Sequence, residues 1–185
     1  MGLRLFTGID VPHEMRRNLE LLLQHLKPTA DIQWSPLDNL HITTKFIGDW
    51  PEERLFEVKE VLEAVTRPGA IKISIRSLGW FPNPHNPRVF FVGIHAPPEL
   101  AKLASETESV CEVVGLPRED REFKPHLTLA RIKRPTDLLK LKQAIAALPS
   151  VEFGAFKAEA FHLYQSQLRP TGSVYTKLET YPLTA

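Results

Sequence analysis

Leu40 to Phe46 reads LHITTKF and Lys124 to Arg131 reads KPHLTLAR, so one His-x-Thr unit occurs twice, each time in an alternating and otherwise apolar run. Alternation at period two predicts β-strands, in which residues i and i+2 share a face. His41, Thr43 and Lys45 then point one way, and Leu40, Ile42, Thr44 and Phe46 the other; His126, Thr128 and Ala130 share a face opposite Leu127 and Leu129. The aliphatic sets belong in a core, which leaves an imidazole and a hydroxyl outward on each strand.

A single His-x-Thr is an ordinary polar strand face. The residues downstream of each unit say more. With the two histidines aligned, Pro51 lies ten residues after His41 and Pro135 nine after His126; Pro87 and Gly172 each lie 46 beyond, and Phe90 and Tyr175 each lie 49 beyond. The pattern strand, helix, strand, turn, strand occurs twice with almost no drift in length. This predicts an internal duplication, with units at about 38–95 and 123–181, inside one bilobal domain over residues 1–185.

Around these units the sequence predicts a strand at Leu3–Asp10 and a helix at His13–Leu26, carried by Met15, Leu19, Leu22, Leu23 and Leu26 at helical spacing. Further helices are expected at Glu52–Val65, Glu99–Val114 and Pro135–Leu148. Strands are expected at Ile71–Phe81, Arg88–His95, Phe156–Gln165 and Ser173–Tyr181. Helices segregated from hairpins indicate an α+β fold, with a bilobal, pseudo-two-fold arrangement of two antiparallel sheets facing across a cleft and helices outside.

Composition narrows the class. The 185 residues are 43% hydrophobic and 24% charged, with formal net charge +1, which fits a globular domain and gives no global attraction to nucleic acid. No apolar run reaches the roughly 20 residues of a membrane span. The opening MGLRLFTGID is too quickly polar for a signal peptide, and Phe6 stands where a myristoylation signal needs Ser or Thr. The single cysteine, Cys111, excludes an internal disulfide and a thiolate metal cluster; it is expected as buried filler, in a cytoplasmic protein.

Two imidazoles opposed across one cleft suit general acid–base catalysis, because their unperturbed pKa of about 6.5 is close to working pH. The two hydroxyls are neutral donors suited to phosphate oxygens, so a phosphoester is the natural substrate. A zinc site needs three or four ligands, and neither unit has a carboxylate on its strand face; no metal or other cofactor is expected. No GxSxG is present for a serine hydrolase. His13, His25, His85, His95 and His162 are expected to be structural or superficial.

The stretches LHITTKFIG and FKPHLTLAR resemble the paired HxTx motifs of the 2H phosphoesterase superfamily, within it the RNA 2′,3′-cyclic phosphodiesterases also called 2′-5′ RNA ligases. LRLFTGIDVP, the approach from Trp34 to LHIT, FPNPHNPRVFFVGI, and the run from Ser166 to Tyr175 are similar to that family as well, so the resemblance spans nearly the whole chain. It implies a metal-independent monomer hydrolysing a 2′,3′-cyclic phosphate at an RNA 3′ end, or on a small cyclic nucleotide, to a 2′-phosphate, with 2′-5′ ligation as the reverse reaction. It further implies His41 as proton donor, His126 as proton acceptor, Thr43 and Thr128 on phosphate oxygens, and Arg131 on nucleotide or phosphate. Strict alternation puts Arg131 opposite His126, so that role requires a strand bulge or strand end. Thr44 departs from the usual leucine, a change expected to affect packing only.

Three further residues are candidates for substrate contact. Lys45 shares the His41 face; Phe46 is either core or a base-stacking ring; Tyr175, or its counterpart Phe90, borders the nucleotide. Lys45, Arg88, Lys124, Arg131 and Arg169 either form a strip for an RNA backbone or are scattered surface charge. Expected partners are RNA 3′ ends or nucleotide cyclic phosphates, with no membrane and no obligate protein partner. The alternative function is a nucleotide- or RNA-binding module without turnover.

Overall fold

The computed structural model describes residues 2–184; Met1 and Ala185, the ends of the expected 1–185 domain, lie outside the described residues. Among the described residues, nine strands and four α-helices run in the order β1 (Gly2–Asp10), α1 (His13–Leu26), β2 (Gln33–Trp34), β3 (His41–Pro51), α2 (Leu55–Glu63), β4 (Ile71–Phe81), β5 (Val89–His95), α3 (Pro98–Glu112), β6 (His126–Arg131), α4 (Leu139–Ala146), β7 (Glu152–Ala158), β8 (Ala160–Arg169) and β9 (Gly172–Pro182). The strands form two sheets, ordered β3-β1-β8-β9 and β2-β6-β5-β4-β7, and each neighbouring pair is antiparallel. This is the α+β fold of two antiparallel sheets that the sequence predicts.

Helix α1 forms where Pro12 ends β1 and the apolar residues fall on one stripe: Met15, Leu19, Leu22, Leu23 and Leu26 are all buried. Removing each of these leucines from water contributes about 1.5–3 kcal/mol. α1 lies against β7 and α4, beside the five-stranded sheet; α2 and α3 pack together, with α3 on β3 and α2 on β9 beside the four-stranded sheet. Cys111 is fully buried on α3, and burial pushes its thiol up to about 11.

Two differences from the expected elements matter. The single strand expected at Phe156–Gln165 is two strands, β7 and β8, divided at Glu159: β7 completes the five-stranded sheet on β4, while β8 crosses to the four-stranded sheet between β1 and β9. Polar and apolar residues alternate through both, so periodicity cannot reveal a change of sheet. The repeat units are also interleaved. β3 of the first stretch shares a sheet with β8 and β9 of the second, and β6 of the second pairs with β5 of the first. Each sheet therefore draws on both stretches, and the two His-x-Thr strands, β3 and β6, come within 8 Å Cα–Cα of one another.

Candidate active site

Both His-x-Thr strands carry a bulge at the same place. In β3, Thr43 pairs with Gly8 but Lys45 pairs with Thr7, so Thr44 is the additional residue. In β6, Thr128 pairs with Phe91 but Ala130 pairs with Phe90, so Leu129 is additional. A bulge turns two successive residues to one side and reverses the alternation beyond it. Thr44 and Lys45, like Leu129 and Ala130, are consequently buried, and Phe46 and Arg131 return to the side of the histidines. The displaced Leu129 carbonyl accepts from the Ser35 N–H at 2.8 Å.

The bulges correct two expectations. Lys45 is not a substrate contact: it is 5% exposed on the helix side, where its Nζ donates to Glu108 Oε2 and to the Pro117 carbonyl, each at 2.9 Å. Phe46 is not core. It pairs with Phe6, is 49% exposed, and has the Arg4 guanidinium 5.1 Å from its ring centre. Arg131 has the bulge it requires, and its positive charge acts on His41, His126 and Tyr175 together.

The two imidazoles are held alike. His41 Nδ1 donates to the Asn39 carbonyl at 2.8 Å, and His126 Nδ1 donates to the Lys124 carbonyl at 2.7 Å. A carbonyl can only accept, so Nδ1 carries the hydrogen and Nε2 is left for chemistry. His41 Nε2 meets Thr43 Oγ1 at 2.8 Å. Each unit places a glycine opposite: a Cβ on Gly8 would stand 2.7 Å from the Ile42 carbonyl oxygen, and one on Gly93, the partner of His126, 2.7 Å from that of Arg76. A side chain at Gly8 would press on the backbone next to His41, and one at Gly93 would push β5, the partner of His126, off β4.

Burial holds both imidazoles below their usual range. For His41 the Asn39 carbonyl and the Asp10 carboxylate oppose the shift, while the charges of His126 and Arg131 reinforce it. For His126 the Lys124 carbonyl opposes the shift and Arg131 reinforces it. The charge of His126 thus reaches His41, on strands whose Cα atoms come within 8 Å.

Aromatic rings enclose each histidine, and strand alternation alone points to few of them. Phe6 lies 4.6 Å and Tyr175 5.1 Å, centre to centre, from His41; Phe81 lies 5.0 Å and Phe91 5.5 Å from His126. Tyr175 thus stands beside His41, with burial raising its phenol pKa against the charges of Arg131 and Arg4. Its counterpart Phe90 is instead fully buried between Trp34 and Trp80, and its neighbour Phe91 takes the cleft side. Asp10 is a further residue of the site that the sequence reading does not single out: it pairs in register with His41 while accepting from Arg16 Nη2 and Lys177 Nζ, both at 2.6 Å. Its position at the end of a strand two residues before a proline is the available signal. Among the described residues, no three His, Cys, Asp or Glu side chains gather where they could hold a metal ion, and no helix is long and apolar enough to cross a membrane.

The model of the 2′-5′ RNA ligase superfamily matches residues 13–169 of the chain. The RNA 2′,3′-cyclic phosphodiesterase of Archaeoglobus fulgidus is 34% identical over 180 residues, covering 97% of this chain and 99% of that protein. The RNA 2′,3′-cyclic phosphodiesterase of Methanothermobacter thermautotrophicus is 32% identical, covering 99% of this chain and 100% of that protein. Among solved structures, E. coli LigT complexed with 3′-AMP superposes with a TM-score of 0.80 at 26% identity, covering 100% of both chains. A protein of Thermus thermophilus superposes at 0.82 with 32% identity over 98% of both.

Proposed function

The chain belongs to the 2′-5′ RNA ligase superfamily, and from that membership we propose that it is an RNA 2′,3′-cyclic phosphodiesterase working through its two histidines. The substrate is a 2′,3′-cyclic phosphate at an RNA 3′ end or on a small nucleotide. His126 Nε2 takes a proton from water as the water oxygen attacks phosphorus. The P–O3′ bond breaks, and Nε2 of the His41 imidazolium gives its proton to the departing O3′. The products are a 2′-phosphate and a free 3′-hydroxyl; proton exchange with solvent resets the pair. Thr43, Thr128 and Arg131 receive the non-bridging oxygens.

One observation carries this reading: two imidazoles on bulged strands, each tied through Nδ1 to the carbonyl two residues earlier, with Nε2 left for the reaction. The assignment of His41 as acid and His126 as base follows the resemblance to the family; Asp10, in register with His41, favours the protonated ring there against the larger lowering by burial. An anionic phosphate in the cleft works against this lowering on both rings and favours the protonated form of His41 in the complex. The stretches 38–95 and 123–181 supply one His-x-Thr strand each, which supports reading them as duplicated units of one bilobal domain. The same site run backwards joins a 2′,3′-cyclic end to a 5′-hydroxyl, although in dilute solution water outcompetes that acceptor.

The test is an oligonucleotide ending in a 2′,3′-cyclic phosphate, incubated with the protein in EDTA. The expected product ends in a 2′-phosphate, and His41→Ala and His126→Ala each slow its formation by about 10²-fold or more. Undiminished turnover by the double variant overturns the mechanism, and binding without product would establish the binding module instead.

A further inference from the structure

A cavity of about 790 Å³ lies off the two histidines, neither of which lines it. It is a groove lined by Lys72, Ser74, Arg76, His95, Phe123 and Pro125, among others. Strand register ties it to the reaction centre. His126 pairs with Gly93; His95 lies two residues along β5 from Gly93 and pairs with Ser74; Lys72 lies two residues along β4 from Ser74 and pairs with Lys157. Residues paired across antiparallel strands, and residues two apart, share a face. The face that carries His126 therefore continues without interruption to Lys72, about 10 Å across two strand spacings and about 13 Å along them, with Lys157 one strand further. Pro125, next to His126, closes the near end.

The groove is positively charged and its cations are uncommitted. Lys72 and Arg76 are exposed, and neither joins an ion pair among the described residues, although Arg76 pairs in register with Glu152. No carboxylate lines the groove among the described residues. A net charge of +1 makes such a local concentration informative. We infer that this groove seats the single-stranded RNA on the 5′ side of the terminal cyclic phosphate, with Lys72 and Arg76 on backbone phosphates and Phe123 beside a base. The inference rests on the cyclic phosphodiesterase reading, and it makes the substrate a polynucleotide end in preference to a mononucleotide.

The experiment compares 2′,3′-cyclic cytidine monophosphate with a hexanucleotide ending in the same group. The wild-type protein should have the lower KM for the hexanucleotide, and that KM alone should climb steeply with salt. Lys72→Glu combined with Arg76→Glu should lower the ratio of kcat/KM, hexanucleotide to mononucleotide, tenfold or more. It should also flatten the salt slope by about 1.4, two phosphates at roughly 0.7 each. An unchanged ratio, an equal loss on both substrates, or the loss appearing instead in Lys133→Glu with Arg134→Glu, at the smaller cavity beside Arg131, overturns the inference. Wild-type indifference to substrate length and salt does so without any variant. Failure of the wild type on both substrates removes the underlying phosphodiesterase reading instead.

Discussion

Phe46 and Arg131 occupy the same place in the two His-x-Thr strands: each lies five residues past its histidine and is turned back to the cleft by a bulge at the residue after the threonine. One position carries an exposed ring and the other a guanidinium within electrostatic reach of both imidazoles. The duplicated geometry thus presents a stacking surface on one side and a cation on the other. Arg131→Ala should reduce kcat/KM about 10- to 100-fold, the equivalent of roughly 1.5–3 kcal/mol for a charged hydrogen bond. Arg131→Lys should recover only part, since an ammonium lacks the planar fork. Equal activity of all three proteins in steady-state kinetics would remove Arg131 from the site.

The histidines should each carry a loss of about 10²- to 10⁴-fold in kcat on replacement by alanine, the usual range for a general acid or base. In the proposed mechanism both protons move in one step, so the double variant should be little worse than the poorer single one. Circular dichroism should show all three variants folded. A fully multiplicative double loss would mean that the two rings act in separate steps.

The pH profile is set by the direction of the two shifts. Both imidazoles titrate below 6.5 in the free protein because of burial. The base must be neutral and the acid charged, so kcat/KM should form a bell with its maximum below pH 6.5. Bound phosphate favours the charged His41, so the alkaline limb of kcat should lie at higher pH than that of kcat/KM. The same shifts bear on stability. Below 6.5 the unfolded chain binds more protons at these sites than the folded one does, so stability is full above that pH and declines as pH falls through the folded values. A kcat/KM maximum above pH 7.5 would contradict burial as the dominant influence on the pair.

Much of this arrangement is legible in the sequence. The aliphatic alternation of β3 and β6, the stripe of α1, and the spacing of Pro51, Pro87, Pro135 and Gly172 relative to the histidines point to the two antiparallel sheets and to His-x-Thr strands, which the structure brings within 8 Å. What periodicity cannot express is a single additional residue in a strand. One-residue insertions reverse the face of everything beyond them, and so unbroken alternation puts Lys45 in the cleft and Phe46 on the core side. The ring of Phe6, Phe81 and Phe91 is hidden for a related reason: aromatic residues on alternating strands look the same whether they face a core or a cleft. The exchange of hairpins between the sheets is a long-range pairing with no local signature.

Lys45 therefore has a structural role. Its ammonium and Glu108 are buried together at 4% and 14% side-chain exposure, 2.9 Å apart. Removing one member of a buried pair typically costs about 3–5 kcal/mol, because the other charge is stranded. Lys45→Met should lower Tm by about 6–20 °C, at roughly 2–4 °C per kcal/mol for a chain of this size. Adding Glu108→Leu should restore most of that loss. Below the unfolding transition, kcat/KM should remain within about twofold of wild type. A folded Lys45→Met protein with a tenfold kinetic defect would return Lys45 to the substrate.

Thr44 stands at the bulge where the second unit has Leu129, and it is matched to one neighbour. Its Oγ1 lies 2.7 Å from Thr7 Oγ1, in a hydrogen bond between two buried side chains, with Thr7 fully inaccessible. The departure from leucine is thus a paired one: one hydroxyl donates to the other in a single hydrogen bond. Thr44→Val keeps the shape but leaves Thr7 Oγ1 buried without a partner, at a cost of about 1–3 kcal/mol, and Thr7→Val should do the same. Combining the two removes both polar groups and should return stability to near wild type, so that the double-mutant cycle gives a coupling of opposite sign to the single losses. Chemical denaturation of the four proteins measures it. Strictly additive losses would mean that the hydroxyls are satisfied separately and that the bulge does not depend on their contact.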